Sequence, residues 1–479
     1  MKHDYLAEMR EGRPLTTTQE MQMILRLSLP AILAQMTSII MQYIDASMVG
    51  HLGADATAAI GLLGPSTWLF GGIVGAVSTG FAVQVAQAVG AGKDGTARGL
   101  VRLGLLSSCL IGLLLLAVGA SLHLVLPKWL GGAPQILHDA SAYFLVFAFT
   151  LPVAQLAHIA ASMLQASGNM RFPSSVQILM CALDVLFNRL LIYDATAVPF
   201  GGSALVLPGA GLGVLGAALG TTLAQAAGMA ILLGYLLFFS PKLRLRRGDP
   251  KLPKRPYLVR ALHLALPVAA EQSVLCTAQI AVIRIIAPLG TVAVAANSLG
   301  ITTESFCYMP GYGISSAAVT VIGQSVGAGR KDMTRKLGVM AVILGMGFMS
   351  VTGVLLYLFA PSLIGILTPV PEIVELGAAC LRIEALAEPL FAASIVAAGV
   401  FRGAGNTLYP SLINLLSIWL IRIPAAALLS PRIGLTGAWI GMALDVSVRG
   451  LLFLLVLAGT QWLARAYPEL HPKKIRHPS

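Results

Sequence analysis

The chain has 479 residues, of which 57% are hydrophobic and only 11% are charged, and its formal net charge is +12. Soluble domains carry about 25% charged residues, so this chain has too few charges to cover a water-exposed surface of its size. Composition therefore excludes an ordinary soluble protein. No nucleic-acid partner is expected either, because the basic residues are grouped in short segments between apolar stretches.

Twelve apolar stretches follow one another, each long enough to cross the hydrocarbon core as a helix of about 20 residues. They lie at 24–49, 57–85, 100–124, 139–162, 174–194, 211–239, 258–286, 293–322, 336–360, 374–399, 408–429 and 434–462. Almost all Lys and Arg residues between them fall on the side of the N-terminus, and the other side holds only Lys128 and Arg432. The positive-inside rule thus predicts a multi-pass membrane protein with both termini cytoplasmic.

The second half of the chain repeats the first at a constant separation of 237 residues. The matching positions include Pro30 with Pro267, Gln87 with Gln324, Pro152 with Pro389 and Gly168-Asn169 with Gly405-Asn406. The separation falls to 221 at Gly213 and Gly434, which predicts a longer outer loop between Asp194 and Gly211. Six spans return each half to its starting side, so the two halves share one orientation about a pseudo-twofold axis along the membrane normal.

This repeat predicts an all-α membrane protein of two six-helix lobes. The N-terminal lobe comprises residues 1–239, a polar and proline-rich cytoplasmic linker comprises 240–257, and the C-terminal lobe with a cytoplasmic tail comprises 258–479. The five cysteines lie inside apolar stretches without CxxC spacing, so we expect packed free thiols rather than metal ligands.

Charged residues inside the spans are candidates for function, because a charge at the centre of a bilayer is costly. The acids are Asp45, Asp184, Glu271, Glu304, Glu384, Glu388 and Asp445, and the bases are Arg189, Arg284, Arg382, Arg422 and Arg449. Asp184 and Asn188 are four residues apart and share one helix face. A buried carboxylate without a partner takes up a proton or binds Na⁺ together with amide and hydroxyl oxygens. The alternative is a structural ion pair of Asp45 or Asp184 with Arg189.

The repeated segments resemble the multidrug and toxic compound extrusion (MATE) family, and in particular its bacterial NorM- and DinF-like members. The resemblance runs from about residue 20 to residue 462 and rests on LSLPAILAQ (27–35), YIDASMVGHLG (43–53), GAGK (90–93), LQASGNMRFP (164–173), LALPVAAEQ (264–272), IGQSVGAGRKD (322–332) and FRGAGNTLYP (401–410). It implies a V-shaped bundle of two lobes in the plasma (bacterial inner) membrane. It also implies efflux of drugs or toxic metabolites, organic and often cationic amphiphiles, in exchange for inward Na⁺ or H⁺. We expect a monomer.

The resemblance also implies a cation site in the first lobe, built from an aspartate of the first helix, an Asn/Asp pair of the fifth and a threonine of the sixth. Asp45 and Thr221 match this pattern, whereas Asp184 and Asn188 stand in the reverse of the usual order. Glu271 matches a glutamate of NorM-type members in the seventh helix and joins the expected coupling residues.

The same members carry an aspartate in the tenth helix, where this chain has Phe391. Glu384 or Glu388, one or two turns earlier, is positioned to compensate. The expected substrate cavity is lined by Glu304, Glu388, Phe306, Tyr308 and Phe391. The alternatives are pairing of the glutamates with Arg284, Arg382 or Arg449, and aromatic side chains that only face lipid or fill the core.

Motifs of enzymes are absent from the sequence, which has no Walker loop, no HExxH and no Rossmann fingerprint. We therefore expect no catalysis and no cofactor beyond the coupling ion, with no metal other than Na⁺ at the coupling residues. A lipid-linked oligosaccharide flippase is one alternative, but acids at least equal arginines inside the spans, which favours cationic cargo. A channel or structural membrane component is another, but it would not need buried titratable acids.

Overall fold

A computed structural model describes residues 4–200, 203–246, 248–249, 252–463 and 466–467. Lys2, Arg465 and the predicted cytoplasmic tail beyond residue 467 lie outside the described residues. The first half of the chain forms α1 (Tyr5–Arg10), α2 (Thr17–Gly50), α3 (Ala54–Gly90), α4 (Asp94–Leu122), α5 (Leu126–Trp129), α6 (Leu137–Ala166), α7 (Arg171–Ile192), β1 (Asp194–Phe200), β2 (Ser203–Ala210) and α8 (Gly213–Gly234). The second half forms α9 (Lys254–Ile286), α10 (Thr291–Gly327), α11 (Lys331–Leu367), α12 (Pro371–Gly403), α13 (Leu408–Ser417), α14 (Ile423–Ile433) and α15 (Leu435–Ala458).

Most of these helices have the length and apolarity of membrane spans. Within the described residues, 11 helical segments meet both criteria, and one of them joins α13 to α14. The twelfth expected span, at 293–322, is not among these 11 segments and corresponds to α10. This helix has 37 residues, the same length as α3. Large apolar side chains such as Leu110 (70% exposed) and Ile366 (81%) point away from the bundle, as expected where lipid is the solvent. The all-α membrane fold is therefore confirmed.

The duplication is visible in the helix boundaries. α3 and α10 begin and end 237 residues apart, α4 and α11 begin at that separation, and α6 and α12 end at it. Gly168 and Gly405 follow the ends of α6 and α12, and both adopt a left-handed backbone, with φ of +97° and +86°. The side chains of Asn169 and Asn406 then each accept a backbone N–H three residues further on. One repeated motif thus ends one helix and starts the next in both lobes.

The halves differ where the separation changes. The 16 extra residues of the first half belong to the antiparallel pair β1–β2 between α7 and α8, in which Asp194 pairs with Ala210. The longer loop expected at this place therefore forms two strands. Between the lobes, the described part of the linker is fastened to α4, because Arg98 Nε donates to Asp249 Oδ1 at 2.6 Å.

Among the described residues, the two lobes share a hydrophobic core at one end of the bundle. At the end that carries the N-terminus, Met23 and Met170 of the first lobe pack in one cluster with Phe401 and other second-lobe residues. Towards the opposite end, the cluster around Phe144 contains first-lobe residues alone, and the cluster around Trp439 contains second-lobe residues alone. The lobes are therefore joined near the N-terminus and packed separately at the far end.

A symmetric pair of contacts closes the joined end. Gln87 Nε2 donates to the carbonyl oxygen of Gly403 in the other lobe at 3.3 Å, and Gln324 Nε2 donates to that of Ala166 at 2.8 Å. Donors and acceptors are each related by the 237-residue repeat, so these bonds lie about the pseudo-twofold axis.

Two equivalent glycines bring α3 and α10 together beside these bonds. A Cβ atom on Gly90 would lie 2.1 Å from the Gln324 carbonyl oxygen, and one on Gly327 would lie 2.0 Å from that of Gln87. Such distances leave no room for any side chain. We call Gln87, Gly90, Gln324 and Gly327 the interlobe lock.

Candidate functional site

The first lobe brings two carboxyl groups together around one amide. Asn188 on α7 donates from Nδ2 to Asp45 Oδ1 of α2 at 3.0 Å and to Asp184 Oδ2 at 3.1 Å. Asp184 and Asn188 are each 1% exposed, and Asp45 is half-buried. The reversed order of Asp184 and Asn188 therefore does not separate the predicted oxygens, because the amide lies between the two acids.

Part of this site is left without hydrogen-bond donors. In the described part of the chain, Asp184 Oδ1 and Asn188 Oδ1 are buried and accept no hydrogen bond. Thr221 on α8 faces the Asp184 carboxyl group, as the sequence predicts. Tyr143 on α6 also faces both aspartates, although nothing in the sequence pattern pointed to it. Burying polar atoms without hydrogen-bond partners costs free energy. A ligand that contacts these two oxygens would therefore bind favourably.

A glycine allows this arrangement. A Cβ atom on Gly220 of α8 would lie 2.1 Å from Asn188 Oδ1, so α8 approaches α7 closely at the bridging amide. Arg189 follows Asn188 in the chain, and its guanidinium carbon lies 5.3 Å from the centroid of the Tyr193 ring.

Glu271 on α9, in contrast, has its hydrogen bonds satisfied. Arg402 donates to both of its carboxylate oxygens at 3.2 and 3.0 Å, Ser411 to Oε2 at 2.7 Å and Asn414 to Oε1 at 2.6 Å. An ion pair with Arg284, Arg382 or Arg449 was the alternative for Glu271, but the arginine that bonds to it is Arg402. Arg402 lies in the last turn of α12, beyond the span expected at 374–399, and its side chain reaches Glu271 on α9.

The second lobe contains three further buried glutamates. Glu304 on α10 is 4% exposed, and Glu384 and Glu388 on α12 are 0% exposed. Glu304 and Glu388, expected to line the substrate cavity, thus lie inside the lobe. Among the described residues, no donor reaches any carboxylate oxygen of Glu384 or Glu388.

Two arginines of this lobe are bound to an aspartate. Asp445 on α15 accepts from Arg422 Nε at 2.9 Å, lies 3.5 Å from Arg449 and also contacts the Ser417 hydroxyl group. Arg422 ends a π-helical turn, Ile418–Arg422, which precedes Pro424. Proline cannot donate a backbone hydrogen bond, so the regular helical hydrogen-bond pattern is interrupted at Pro424. The π turn stands at this interruption.

Aromatic side chains of the two lobes also approach one another. The ring of Tyr43 on α2 lies 5.3 Å from that of Phe306 on α10, and Tyr308 lies 5.6 Å from Phe391 and 6.1 Å from Tyr312. Phe306 and Tyr312 are 36% and 43% exposed. Phe306, Tyr308 and Phe391 are the aromatic residues expected to line the substrate cavity. Tyr43 and Tyr312 were not part of that expectation.

Relatives in other organisms extend these observations. A protein of Thermotoga maritima named "Probable multidrug resistance protein NorM" is 29% identical over 445 residues, which cover 92% of this chain and 93% of the relative. "Multidrug resistance protein MdtK" of Yersinia pestis is 24% identical, covering 93% and 96%.

Solved structures share the fold. A mutant of the Vibrio cholerae MATE transporter VcmN superposes with a TM-score of 0.84 at 21% identity, covering 92% of this chain and 97% of that one. An outward-facing multidrug resistance MATE family transporter gives 0.87 at 18% identity, covering 98% and 100%. The MatE family model matches residues 30–190 and 267–428, one stretch in each lobe, and the chain therefore belongs to the MatE family.

Proposed function

We propose that this protein is a secondary active multidrug exporter of the bacterial inner membrane. It expels organic, cationic amphiphiles by antiport with Na⁺ or H⁺, works as a monomer and has both termini in the cytoplasm. It catalyses no reaction and needs no cofactor beyond the coupling ion. The names of its relatives, which are multidrug resistance proteins, support the substrate class.

The observation that carries the proposal is the amide bridge of the first lobe. Asn188 holds Asp45 and Asp184 within hydrogen-bonding distance of one nitrogen, and two buried oxygen atoms beside it lack donors. Carboxylate and amide oxygens are ligands for hard cations, and a carboxylate is equally a proton acceptor. Binding of a cation or a proton here neutralises charge that is otherwise buried and unbalanced.

The arrangement of the lobes supports alternating access. They are joined through the interlobe lock and the mixed core at the N-terminal end, whereas the far ends pack separately. With the N-terminus in the cytoplasm, this state is closed to the cytoplasm. Opening it requires the lock to break, and the repeat gives the two lobes equivalent surfaces on which to rock.

The charges of the second lobe favour cationic cargo over a pyrophosphate-linked lipid. Arg402 is bound to Glu271, and Arg422 and Arg449 are bound to Asp445. With Glu304, Glu384 and Glu388, the buried acids of this lobe number five against these three arginines, so it offers no excess positive charge to an anionic ligand. The exposed rings of Phe306 and Tyr312 offer faces for organic cations, through apolar and cation–π contacts.

Purified protein in proteoliposomes tests the proposal. Export of ethidium, a fluorescent organic cation, is measured with an imposed Na⁺ gradient and then with an imposed pH gradient. We expect one gradient to drive export and Asp45→Asn to abolish it. Asp55→Asn, which changes an exposed aspartate in the first turn of α3, is the matched control and should retain wild-type rates. Export that needs neither gradient, or that survives Asp45→Asn, would overturn the proposal.

A further inference from the structure

A polar cavity borders the interlobe lock at the end of the bundle that carries the N-terminus. Its volume is about 440 Å³. Gly90 of the first lobe and Gly327 of the second, both members of the lock, form part of its wall. Arg10 at the end of α1 and Lys242 of the linker belong to the same wall. Four parts of the chain that are far apart in sequence therefore meet at one cavity, and the proposed export cycle assigns it no ligand.

Arg10 and Lys242 bring two positive charges to this cavity, and both side chains are half-buried. Within the part of the chain that the structure describes, neither forms an ion pair or a hydrogen bond. Burial, followed by the nearby charge of Arg10, lowers the pKa of Lys242. Asp4 also acts on Lys242, but its carboxylate caps α1 by accepting the Ala7 N–H. An anion placed between the two cations would relieve their repulsion.

The acids of the cavity wall do not balance these two cations. The Glu11 carboxylate lies 2.8 Å from Arg13 Nη2, so this acid already has a positive partner. Asp94, in the first turn of α4, is the other acid of the wall. Arg10 and Lys242 thus face Asp94 alone, and the wall carries one net positive charge.

A phosphate group suits this combination of volume and charge. Arginine binds phosphate oxygens through its fork of N–H donors, and lysine binds them as a point charge. Small-molecule sites have volumes of about 300–1,000 Å³, so the cavity also admits a phosphorylated organic compound. Phe238 and Phe239, 70% and 71% exposed, precede Lys242 closely and place this part of the linker near the membrane surface. A phospholipid headgroup is therefore a second source of the same phosphate chemistry.

We infer that Arg10 and Lys242 form a binding site for a phosphate group, carried by a soluble compound or by a phospholipid headgroup, and that the bound phosphate holds the lobes together at this end. The effect on the lobes rests on the proposed alternating access. Gly90 and Gly327 belong to different lobes, so the cavity keeps its shape only while the interlobe lock is closed. A ligand that prefers the closed state shifts the equilibrium towards it. The site thus gives the exporter a regulatory input that is separate from its coupling ion and its cargo.

Calorimetric titration of the purified protein in detergent with inorganic phosphate tests the site without transport. We expect saturable binding by the wild type and a Kd at least ten times higher in the double variant Arg10→Gln with Lys242→Gln. Asp94→Asn should lower the Kd, because it removes the acid of the wall. Arg244→Gln is the matched control, since Arg244 is an exposed cation of the same linker outside the cavity wall, and it should bind as the wild type does.

A second probe distinguishes the two sources of phosphate. Phosphatidylglycerol is added to the delipidated protein, and native mass spectrometry counts the lipid molecules that each variant retains. Lipid retained by the wild type and lost by the double variant identifies a headgroup, whereas binding of inorganic phosphate without lipid retention identifies a soluble compound. A wild type that binds neither probe, or a double variant that binds both as the wild type does, would overturn the site.

Spin labels at Lys93 and Asp332, one on each lobe, test the effect of the bound phosphate on the lobes. With saturating probe, the wild type should show shorter label distances than the double variant. Equal distances would overturn the effect on the lobes. A wild type that binds the probe but exports nothing would refute the proposed function and leave the phosphate site standing.

Discussion

At the scale of single residues, the first-lobe site is bridged by Asn188, which donates from Nδ2 to both carboxyl groups. Asn188→Ala removes the bridge and leaves Asp45 and Asp184 to repel each other. We expect ion-driven export to fall at least tenfold while the amount of protein in the membrane stays unchanged. Asp55→Asn serves again as the exposed control. Export at the wild-type rate would show that the bridge has no part in coupling.

The pair Glu271–Arg402 leads to a different prediction, because here both carboxylate oxygens of Glu271 accept hydrogen bonds. Removing one partner of a buried ion pair costs about 3–5 kcal/mol of stability, and the cost is smaller where water reaches the pair. Arg402 keeps 23% of its side chain exposed, so we expect a smaller loss.

Thermal unfolding in detergent measures this effect. Glu271→Gln should lower the melting temperature, and the double variant Glu271→Gln with Arg402→Gln should recover most of the loss, because no charge is then left unpaired. The main effect should be on the melting temperature, and the export rate per folded molecule should change little. A melting temperature of Glu271→Gln equal to that of the wild type would contradict a structural role and return Glu271 to the coupling residues.

At the scale of elements, the sequence predicted the spans and the repeat but not how helices contact one another. Hydropathy located the spans, because it depends on local composition. The 237-residue repeat predicted equivalent helices, whose boundaries agree closely. The partner of Glu271 could not be found this way, because α9, α12 and α13 meet only in the folded chain. The π turn Ile418–Arg422 could not be predicted in this way either. It lies just before Pro424 and places Arg422 against Asp445 of another helix.

The contact between α7 and α8 gives an element-scale prediction. A Cβ atom on Gly220 would lie 2.1 Å from Asn188 Oδ1, whereas one on Gly234 in the same helix would meet nothing within 4 Å. Gly220→Ala should therefore push the amide out of its bridge and reduce ion-driven export, with protein levels maintained. Gly234→Ala should export at the wild-type rate. Equal export by the two variants would show that α8 does not hold the site in place.

At the scale of the whole molecule, the repeat predicted two parallel lobes but not which end joins them. That choice depends on contacts between residues hundreds of positions apart, such as Gln87 with Gly403 and Gln324 with Ala166. Two motifs of nearly the same sequence meet across the axis, and each glutamine bonds to the helix end of the other lobe. The symmetry of the chain thus produces a closed end in which these two hydrogen bonds are equivalent.

Under the proposed alternating access, we expect the interlobe lock to control the balance between the states open to either side of the membrane. Any side chain at Gly90 or Gly327 collides with the backbone of the other lobe, so Gly327→Leu should wedge the lobes apart at the N-terminal end. Spin labels at the exposed positions Lys93 and Asp332, one on each lobe, report this distance by electron resonance. We expect the variant to shift the distribution to longer distances.

Gly61→Leu is the matched control, because Gly61 is an exposed glycine of α3 with no atom within 4 Å of its Cβ position. Its label distances should match those of the wild type. Gly90→Leu should reproduce the shift of Gly327→Leu, since the two glycines are equivalent in the repeat and each meets a glutamine carbonyl of the other lobe. If only one of the two variants opens the lobes, the symmetric lock is wrong, and a single lobe controls the closed end.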